Sequence, residues 1–142
     1  MMLCHLEMCD THHLVLYELL GERETHENIS HKRMPTFDDH VKFVDSRPYR
    51  QWFLIEDNGQ WVGTVYLTKQ NEVGVQIYKR HRRKGYATAA LKKLLAMHGD
   101  VIYANINPAN TKSIELFEKL GFKTLQLTLV KERPTWQEVL AG

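Results

Sequence analysis

Apolar and polar positions along the chain follow two periods, and the change from one to the other predicts its elements. Residues 2–8 alternate weakly as in a strand, whereas the apolar residues of 10–20 recur with a helical period and Gly21 is the predicted stop. A second helix is predicted from Thr36, whose hydroxyl can cap the first free amides, and it should end before Pro48. The first third of the chain is therefore predicted to be one strand followed by two helices.

Three strands are predicted next, over residues 51–56, 60–69 and 72–78. Asn58-Gly59 separates the first two, and an Asn-Gly pair is a strong hairpin signal because both residues tolerate positive φ. The corner at residues 69–71 is predicted to make a second hairpin. The three strands should therefore form an antiparallel meander.

The rest of the chain alternates helix and strand. A strongly periodic helix is predicted between residues 85 and 99, a buried strand over 101–106, a helix over 110–121 and a last strand over 122–130. Because no linker or repeat divides the chain, residues 1–142 are predicted to form one domain. The predicted fold class is α/β, with a mixed, mostly antiparallel central sheet and about four helices.

Composition narrows the class of protein. Of the 142 residues, 43% are hydrophobic and 25% are charged, and only two are cysteines, which excludes a fibre, a disordered tail and a disulfide scaffold. The longest apolar runs fall far short of the roughly 18 residues of a membrane span, and the N-terminus lacks the pattern of a secretory signal. We expect a cytoplasmic protein with free thiols and no membrane partner.

Charge is distributed unevenly along the chain. Residues 1–72 carry a net charge of −5 and residues 73–142 one of +7, and five of the positive charges lie within residues 79–84. This concentration predicts one local anion site rather than a nucleic-acid coat. A strand precedes the basic run, and Gly85 and a helix follow it, so backbone N–H groups and the positive end of a helix can meet a phosphate there.

Two motifs make the resemblance to a known family specific. Residues 82–87, Arg-Arg-Lys-Gly-Tyr-Ala, match the pyrophosphate loop of the GNAT superfamily of acyl-CoA N-acyltransferases, Arg/Gln-x-x-Gly-x-Gly/Ala. Residues 107–122 resemble the Asn-x-x-Ser helix of that family, which ends in Lys-Leu-Gly-Phe. The Glu-x-Gly strand followed by Gly-Tyr-Ala-Thr is most similar to the subgroup that contains ribosomal-protein and spermidine N-acetyltransferases.

The resemblance implies acetyl-CoA as the acyl donor and implies where it binds. Val75 and Ile77 would pair their backbone with the pantetheine arm, which in the family lies between this strand and a splayed parallel neighbour. The other implied cofactor-binding residues are Arg82, Arg83, Lys84, Gly85, Tyr86, Ala87, Thr88, Asn110 and Ser113. Lys79, Arg80 and Lys112 are alternatives for contact with the 3′-phosphate.

The resemblance also implies catalytic roles. Glu72 would be the general base, because a primary amine must lose its proton to form an amide. The Val75 amide would polarise the thioester carbonyl, and Ser113 would face the sulfur. Phe117 stands where many members carry a tyrosine that protonates the leaving thiolate, so Ser113, Tyr103, a water or no group at all would take that part.

The function implied is transfer of acetyl from acetyl-CoA to a primary amine by direct attack in a ternary complex, since no cysteine lies near the motifs as an acyl carrier. A small-molecule acceptor such as an amino sugar, an aminoglycoside or a polyamine is favoured. The acidic, hydrogen-bonding segment between the first two helices would bind it through Glu22, Glu24, His26, Glu27, Asn28 and His31. The alternatives are a protein N-terminus as acceptor, a non-catalytic acyl-CoA-binding module and a nucleic-acid binder.

Metal binding and assembly leave weaker signals. Five potential ligands lie close in sequence, but their spacing matches no structural zinc pattern, so no metal is expected. These residues are Cys4, His5, Cys9, His12 and His13. The chain is expected to be a monomer or a homodimer, with residues 132–142 as a short helix, an interface arm or a tail.

Overall fold

A computed structural model describes residues 1–23 and 34–133 of the chain. Its centre is a four-stranded antiparallel sheet in which each strand lies beside the next in sequence, in the order β1-β2-β3-β4. The strands are β1 (Met2–His5), β2 (Tyr49–Asp57), β3 (Gln60–Thr68) and β4 (Val73–Ile77). No helix within the two described ranges is long and apolar enough to cross a membrane.

Within residues 1–23 and 34–133, four α-helices cover the sheet on two faces. They are α1 (His12–Gly21), α2 (Phe37–Asp45), α3 (Tyr86–Ala96) and α4 (Thr111–Lys119). Buried residues of α3 and α4 pack in one hydrophobic cluster with the sheet, and those of α1 and α2 pack in another. The predicted α/β fold class is confirmed.

Alternation along the strands explains why there are two cores. Successive side chains of a strand point to opposite faces of the sheet. Accordingly, Phe53 and Ile55 of β2 pack with α3 and α4, whereas Leu54 between them packs with α1 and α2. All three side chains are buried, so β2 is covered on both faces.

Local sequence signals set the turns and the start of α2. Asn58 and Gly59 both have positive φ, at 51° and 74°, and Asn71 has a φ of 64° at the second hairpin. The hydroxyl oxygen of Thr36 accepts a hydrogen bond from the N–H of Asp39 at 3.2 Å. Both predicted hairpins and the predicted helix cap are therefore confirmed.

The predicted boundaries near the N-terminus were partly wrong. β1 ends at His5, and Leu6–Met8 form a turn of 3₁₀ helix instead of continuing the strand. This turn places Leu6 in the core that lies against α1 and α2. Gly21 is the last residue of α1 rather than a left-handed stop beyond it, since it is absent from the described glycines with positive φ.

The predicted strand over residues 101–106 was also wrong. This segment makes a single parallel bridge, between Glu72 and Tyr103, and no ladder. Ile102, Ala104 and Ile106 pack against the core, whereas Val101 is 69% exposed. The segment thus keeps the alternation of a strand without its pairing, and the described sheet is antiparallel throughout rather than mixed.

The last predicted strand, over residues 122–130, does not form either. Its alternating apolar residues Leu125, Leu127 and Leu129 are 72%, 76% and 84% exposed. A strand needs a neighbour that satisfies its backbone groups, and none lies beside this segment among the described residues. The sequence pattern alone could not reveal that the partner is missing.

Candidate functional site

The outer edge of β4 is open along most of its length. At its start, the N–H of Val73 donates to the carbonyl of Tyr103 at 2.8 Å, and the N–H of Tyr103 donates to the carbonyl of Asn71 at 2.8 Å. The bridge between Glu72 and Tyr103 is isolated, so β4 and residues 101–106 do not pair beyond it. The gap is the space along the unpaired outer edge of β4, on the side of residues 101–106.

The hydrogen-bond pattern shows which backbone groups of β4 face this gap. The N–H of Thr68 donates to the carbonyl of Glu72 at 2.8 Å, so Glu72 faces β3. Residues of an antiparallel strand alternate between facing their partner and facing away from it. Val73, whose N–H bonds Tyr103, faces away, and so does Val75 two residues further along. The N–H and carbonyl of Val75 therefore project into the gap.

The basic turn (residues 79–84) folds back on the end of β4. The Nε of Arg82 donates to the carbonyl of Ile77 at 3.3 Å. Lys79–His81 form a turn of 3₁₀ helix, and Arg83 then adopts a left-handed conformation with a φ of 64°. Successive amides in such a turn form a concave surface that suits an anion.

Helix α3 begins at a left-handed glycine. Gly85 has a φ of 81°, and a Cβ placed on it would meet no atom within 4 Å. Its carbonyl accepts from the N–H of Ala89 at 3.1 Å, which starts the helix. The preceding N–H groups of the first turn have no acceptor inside the helix and carry the positive end of its dipole. Arg83 and Lys84 beside them are exposed, so the start of α3, called the anion site below, has the chemistry that suits a phosphate.

A hydrogen bond fastens the start of α3 to the hairpin between β2 and β3. The hydroxyl of Tyr86 donates to Oδ2 of Asp57 at 2.6 Å. This bond holds the pKa of Asp57 below its ordinary value and raises the pKa of Tyr86. The carboxylate is therefore ionised at neutral pH and fixes the first turn of the helix.

His81 lies buried inside the basic turn. Neither ring nitrogen has a hydrogen-bond partner among the described residues. Burial lowers the pKa of His81, and the charges of Lys84 and Arg80 lower it further. The imidazole is therefore neutral at neutral pH and adds no charge to the turn.

Glu72, the predicted base, lies at the head of the gap beside Tyr66. Gly74 is the cross-strand partner of Tyr66, and a Cβ on Gly74 would lie 2.2 Å from Cζ of its ring. Only glycine fits beneath this ring, which explains the Glu-x-Gly pattern. Burial raises the pKa of Tyr66; the negative charge of Glu72 adds to the rise, whereas Arg23 opposes it.

Tyr66 belongs to an aromatic cluster on the face of the sheet that α1 and α2 cover. The aromatic cluster comprises Phe43, Tyr49, Trp52 and Tyr66, and the rings of Tyr49 and Tyr66 stack at 4.4 Å with an interplanar angle of 11°. Sequence reasoning missed it. The pairing of Trp52 with Tyr66 depends on a register shift between Ile55 and Glu56, which the hairpin at residues 58–59 does not reveal.

The predicted residues of α4 have separate structural tasks. The side-chain oxygen of Asn110 accepts from the N–H of Ser113 at 3.3 Å and caps the helix. Ser113 is half-buried in the first turn. Phe117 is buried in the core and packs edge-on against Phe122, with ring centroids 5.1 Å apart. Phe117 is therefore a packing residue, with no proton to give.

The remaining predicted residues fall into two groups. The backbone N–H of Lys79 donates to Oε1 of Glu22 at 2.7 Å, and the guanidinium of Arg80 lies 4.0 Å from the ring centroid of Tyr78. Lys112 is exposed on α4. The other predicted acceptor residues, Glu24, His26, Glu27, Asn28 and His31, lie outside the described residues.

Comparison with known families agrees with this geometry. Residues 13–122 match the sequence profile of the Acetyltransferase (GNAT) family. This match spans well over half of the 142 residues, so the chain belongs to the GNAT family of acetyltransferases. The predicted family and the predicted acetyl-CoA-dependent N-acetyltransferase activity are both confirmed.

Solved structures share the fold at low sequence identity. A chimera of spermidine N-acetyltransferase SpeG from Vibrio cholerae and hSSAT is 20% identical, with a TM-score of 0.71, and the match covers 89% of this chain and 84% of that one. Ribosomal-protein-alanine N-acetyltransferase from Brucella melitensis is 18% identical, with a TM-score of 0.69 and coverage of 87% and 85%. The putative acetyltransferase yncA from Salmonella typhimurium, solved with acetyl-CoA, is 20% identical, with a TM-score of 0.64 and coverage of 86% and 79%.

The chain fits the donor that its family uses, acetyl-CoA. An extended arm of amide groups can pair with outward backbone groups such as those of Val75, in the manner of an added strand. A pyrophosphate can meet the left-handed turn at Arg83 and Gly85 and the first amides of α3. The gap and the anion site adjoin along one chain path, from β4 through the basic turn to α3.

Proposed function

We propose that the protein acetylates a primary amine of a small molecule by direct attack in a ternary complex with acetyl-CoA. The observation that carries the proposal is the outer edge of β4, where the Val75 backbone faces the gap and Glu72 lies at its head. A hydrogen-bond donor for the thioester and a carboxylate for the amine thus lie on one strand. No covalent acetyl-enzyme is required by this arrangement.

The donor side of the site uses backbone more than side chains. The carbonyl of Val75 accepts from the pantetheine arm, and its N–H stabilises negative charge on the thioester oxygen. Ile77 continues the edge towards the pyrophosphate. Side chains and amides at the turn hold the phosphates, which assigns this task to Arg82, Arg83, Lys84, Gly85, Tyr86, Ala87 and Thr88. Asn110 and Ser113 approach from α4.

The reaction needs one proton acceptor and one stable leaving group. The amine nitrogen forms a bond to the carbonyl carbon, and the carbon–sulfur bond breaks. The proton of the amine passes to Glu72 directly or through one water, and the sulfur leaves as a thiolate. Because Phe117 has no proton to give, the hydroxyl of Ser113 on α4 is assigned to the sulfur.

The aromatic cluster favours an acceptor that carries alkylammonium groups. Ring faces attract cations, and the negative charge of Glu72 acts on Tyr66, a member of the cluster, whose pKa it helps to raise. Polyamines combine several ammonium groups with apolar methylene segments that can pack on the rings of Tyr49 and Trp52. Among the small amines considered, this chemistry supports a polyamine ahead of an amino sugar or an aminoglycoside.

The decisive experiment compares wild type with Glu72→Gln, which keeps the shape of the side chain and removes the base. Turnover is measured as thiol release with an amine panel that includes spermidine, an amino sugar, an aminoglycoside and a peptide N-terminus. We expect release with one class of small amine and a loss in kcat of about 100-fold in the variant, the lower end for a general base. Affinity for acetyl-CoA, measured by calorimetry, should not change.

Glu115→Gln is the matched control, because Glu115 is an exposed carboxylate on α4. Unchanged turnover in Glu72→Gln would remove Glu72 from the reaction. Thiol release with the peptide alone would show that the acceptor is a protein N-terminus and not a small molecule.

The buried Phe117 specifically favours a second candidate, a non-catalytic acyl-CoA-binding module. That function predicts binding of acetyl-CoA with no thiol release for any amine. Affinity for RNA or DNA that acetyl-CoA does not displace would instead indicate a nucleic-acid binder that uses the basic turn.

A further inference from the structure

A second cluster of chemically active side chains lies at the start of α1 and the end of α2. It consists of His12, His13 and Asp45, each of which offers one potential metal-ligand atom, and these atoms all lie within 4.8 Å of one another. His13 Nε2 is 2.6 Å from Oδ1 of Asp45, and the two imidazole rings have centroids 3.9 Å apart. Three potential ligands thus converge at one point, outside the machinery on β4.

The backbone fixes which nitrogen of His12 is free to bind an ion. Nδ1 of His12 is 2.7 Å from the carbonyl oxygen of Cys9. A carbonyl only accepts, so Nδ1 carries the hydrogen and Nε2 of the neutral ring keeps its lone pair. Metal-bound histidines characteristically make this same hydrogen bond through their other nitrogen, which orients the ring. His12 is therefore prepared as a ligand.

The cluster is open enough for an ion to enter without unfolding. The side chain of Asp45 is 59% exposed and that of His13 is 28% exposed. His12 is half-buried, which holds its ring in place. Solvent can therefore supply the remaining ligand.

We infer that this cluster binds a divalent transition-metal ion, Zn²⁺ in the first instance. The ligands are Nε2 of His12, Nε2 of His13 and the carboxylate of Asp45, and water completes four-fold coordination. On binding, the ion takes the place of the hydrogen between His13 and Asp45; by exchange with water this hydrogen moves from Nε2 to Nδ1 of His13, so the ring stays neutral and its Nε2 lone pair meets the ion. The ion links α1 to α2 across the contact that the hydrogen bond already makes.

Sequence spacing could not reveal this site. Cys9, His12 and His13 suggested ligands, but the carboxylate comes from Asp45, 32 residues beyond His13. The packing of α1 on α2 is what brings it near. The expectation of no metal concerned residues that are close in sequence; the site proposed here is formed by helix packing and has no part in acetyl transfer, for which the family needs no metal.

The test is calorimetric titration of the full chain with Zn²⁺, for wild type and for His12→Ala, His13→Ala and Asp45→Asn. We expect one site in wild type. Loss of either histidine should weaken binding by about 100-fold or more, because loss of an outer-shell partner alone costs about 10- to 100-fold. The amide oxygen introduced by Asp45→Asn can still accept a hydrogen bond from His13, so this variant should bind more weakly with an unchanged circular-dichroism spectrum.

His98→Ala is the matched control, because His98 is a half-buried histidine that is bonded to Gln51 and is not one of the three cluster residues. It should bind Zn²⁺ as wild type does. The inference would be overturned if wild type and all three cluster variants bound Zn²⁺ with equal affinity. It would also be overturned if His98→Ala lost as much affinity for Zn²⁺ as the cluster variants do.

Titration with Co²⁺ distinguishes the ligand set. Nitrogen and oxygen ligation gives visible d–d bands without an intense thiolate charge-transfer band in the near ultraviolet. A strong charge-transfer band, lost in Cys9→Ser, would place the ion on sulfur and contradict the proposed ligands. Because the readout is binding, it stands independently of the acetyl transfer proposed above.

Discussion

The two faces of the sheet are built from different kinds of side chain. The face towards α3 and α4 is aliphatic and closely packed; Val65, Leu67, Leu91 and Leu94 are fully buried there. The face towards α1 and α2 is richer in aromatic and polar groups, including the aromatic cluster beside Glu72. The buried side chains of the first core cluster are all hydrophobic, whereas the second core cluster also holds the Tyr78 hydroxyl, which must be paired.

Hydrogen bonds on the second face do this pairing in chains. Nε1 of Trp52 donates to Oγ1 of Thr64 at 2.9 Å, and that hydroxyl donates to the carbonyl of Phe53 at 2.7 Å. The hydroxyl of Tyr78 donates to Oε2 of Glu18 at 2.7 Å. Directional bonds fix where each ring points, which dispersion contacts do less strictly. The aliphatic face therefore mainly stabilises the fold, and the aromatic and polar face mainly fixes the orientation of side chains.

The largest stability effect is expected on the aliphatic face. Leu91→Ala removes a fully buried side chain of α3 and leaves a cavity, so the free energy of unfolding should fall by about 2–5 kcal/mol. Urea unfolding measures it. Leu95→Ala, on the same helix at a half-buried position, is the control and should cost clearly less. Equal losses in the two variants would mean that this face is not closely packed.

A smaller loss of stability with a larger effect on the site is expected from Gly74→Ala. The new methyl group would collide with the ring of Tyr66, and such overpacking costs about 1–3 kcal/mol. Because Tyr66 lies beside Glu72, kcat should fall as well. Unfolding and turnover of the same preparation test both effects.

Gly99→Ala serves as the control for this substitution, since a Cβ there meets no atom within 4 Å. Adding Tyr66→Ala to Gly74→Ala should recover part of the stability lost, because the collision partner is gone. Strict additivity of the two changes would show that the ring is not the cause.

Most of the fold could be predicted from local patterns because those patterns had local causes. The hairpin at Asn58-Gly59, the Thr36 cap and the left-handed Gly121 that ends α4 each depend on a few neighbouring residues. The strand predicted over residues 122–130 failed because pairing depends on a neighbour elsewhere in the chain. Apolar alternation reports what a segment could bury and is silent on whether a partner exists.

The candidate site divides in the same way. The strand, the basic turn and Gly85 were predictable, since they are contiguous and carry a family motif. The aromatic cluster and the cluster of His12, His13 and Asp45 were not predictable, because each joins residues of different elements through packing. The contact between Tyr86 and Asp57 is of this second kind, as it crosses from α3 to the β2–β3 hairpin.

The smallest effect is expected at that contact and appears as pH dependence. The hydrogen bond from Tyr86 lowers the pKa of Asp57 in the folded state below its ordinary value of 3.8. The unfolded state therefore binds more protons between the two values, so the stabilising contribution is complete above the unfolded pKa and is lost as pH falls through the folded pKa. Asp57→Asn should be less stable than wild type at neutral pH.

Urea unfolding of both proteins between pH 7 and pH 3 measures this difference. The difference in the free energy of unfolding between wild type and Asp57→Asn should be constant down to about pH 5. It should become smaller below the ordinary pKa of 3.8. A hydrogen bond from Arg50 also lowers the pKa of Asp100. Because both proteins carry Asp100, its contribution to the free energy of unfolding is the same in each and does not affect the difference between them. When both proteins also carry Tyr86→Phe, this difference should change less with pH, because the principal hydrogen-bond donor to Asp57 is gone. A difference in the free energy of unfolding that does not change with pH would mean that the bond between α3 and the hairpin contributes nothing through the charge of Asp57.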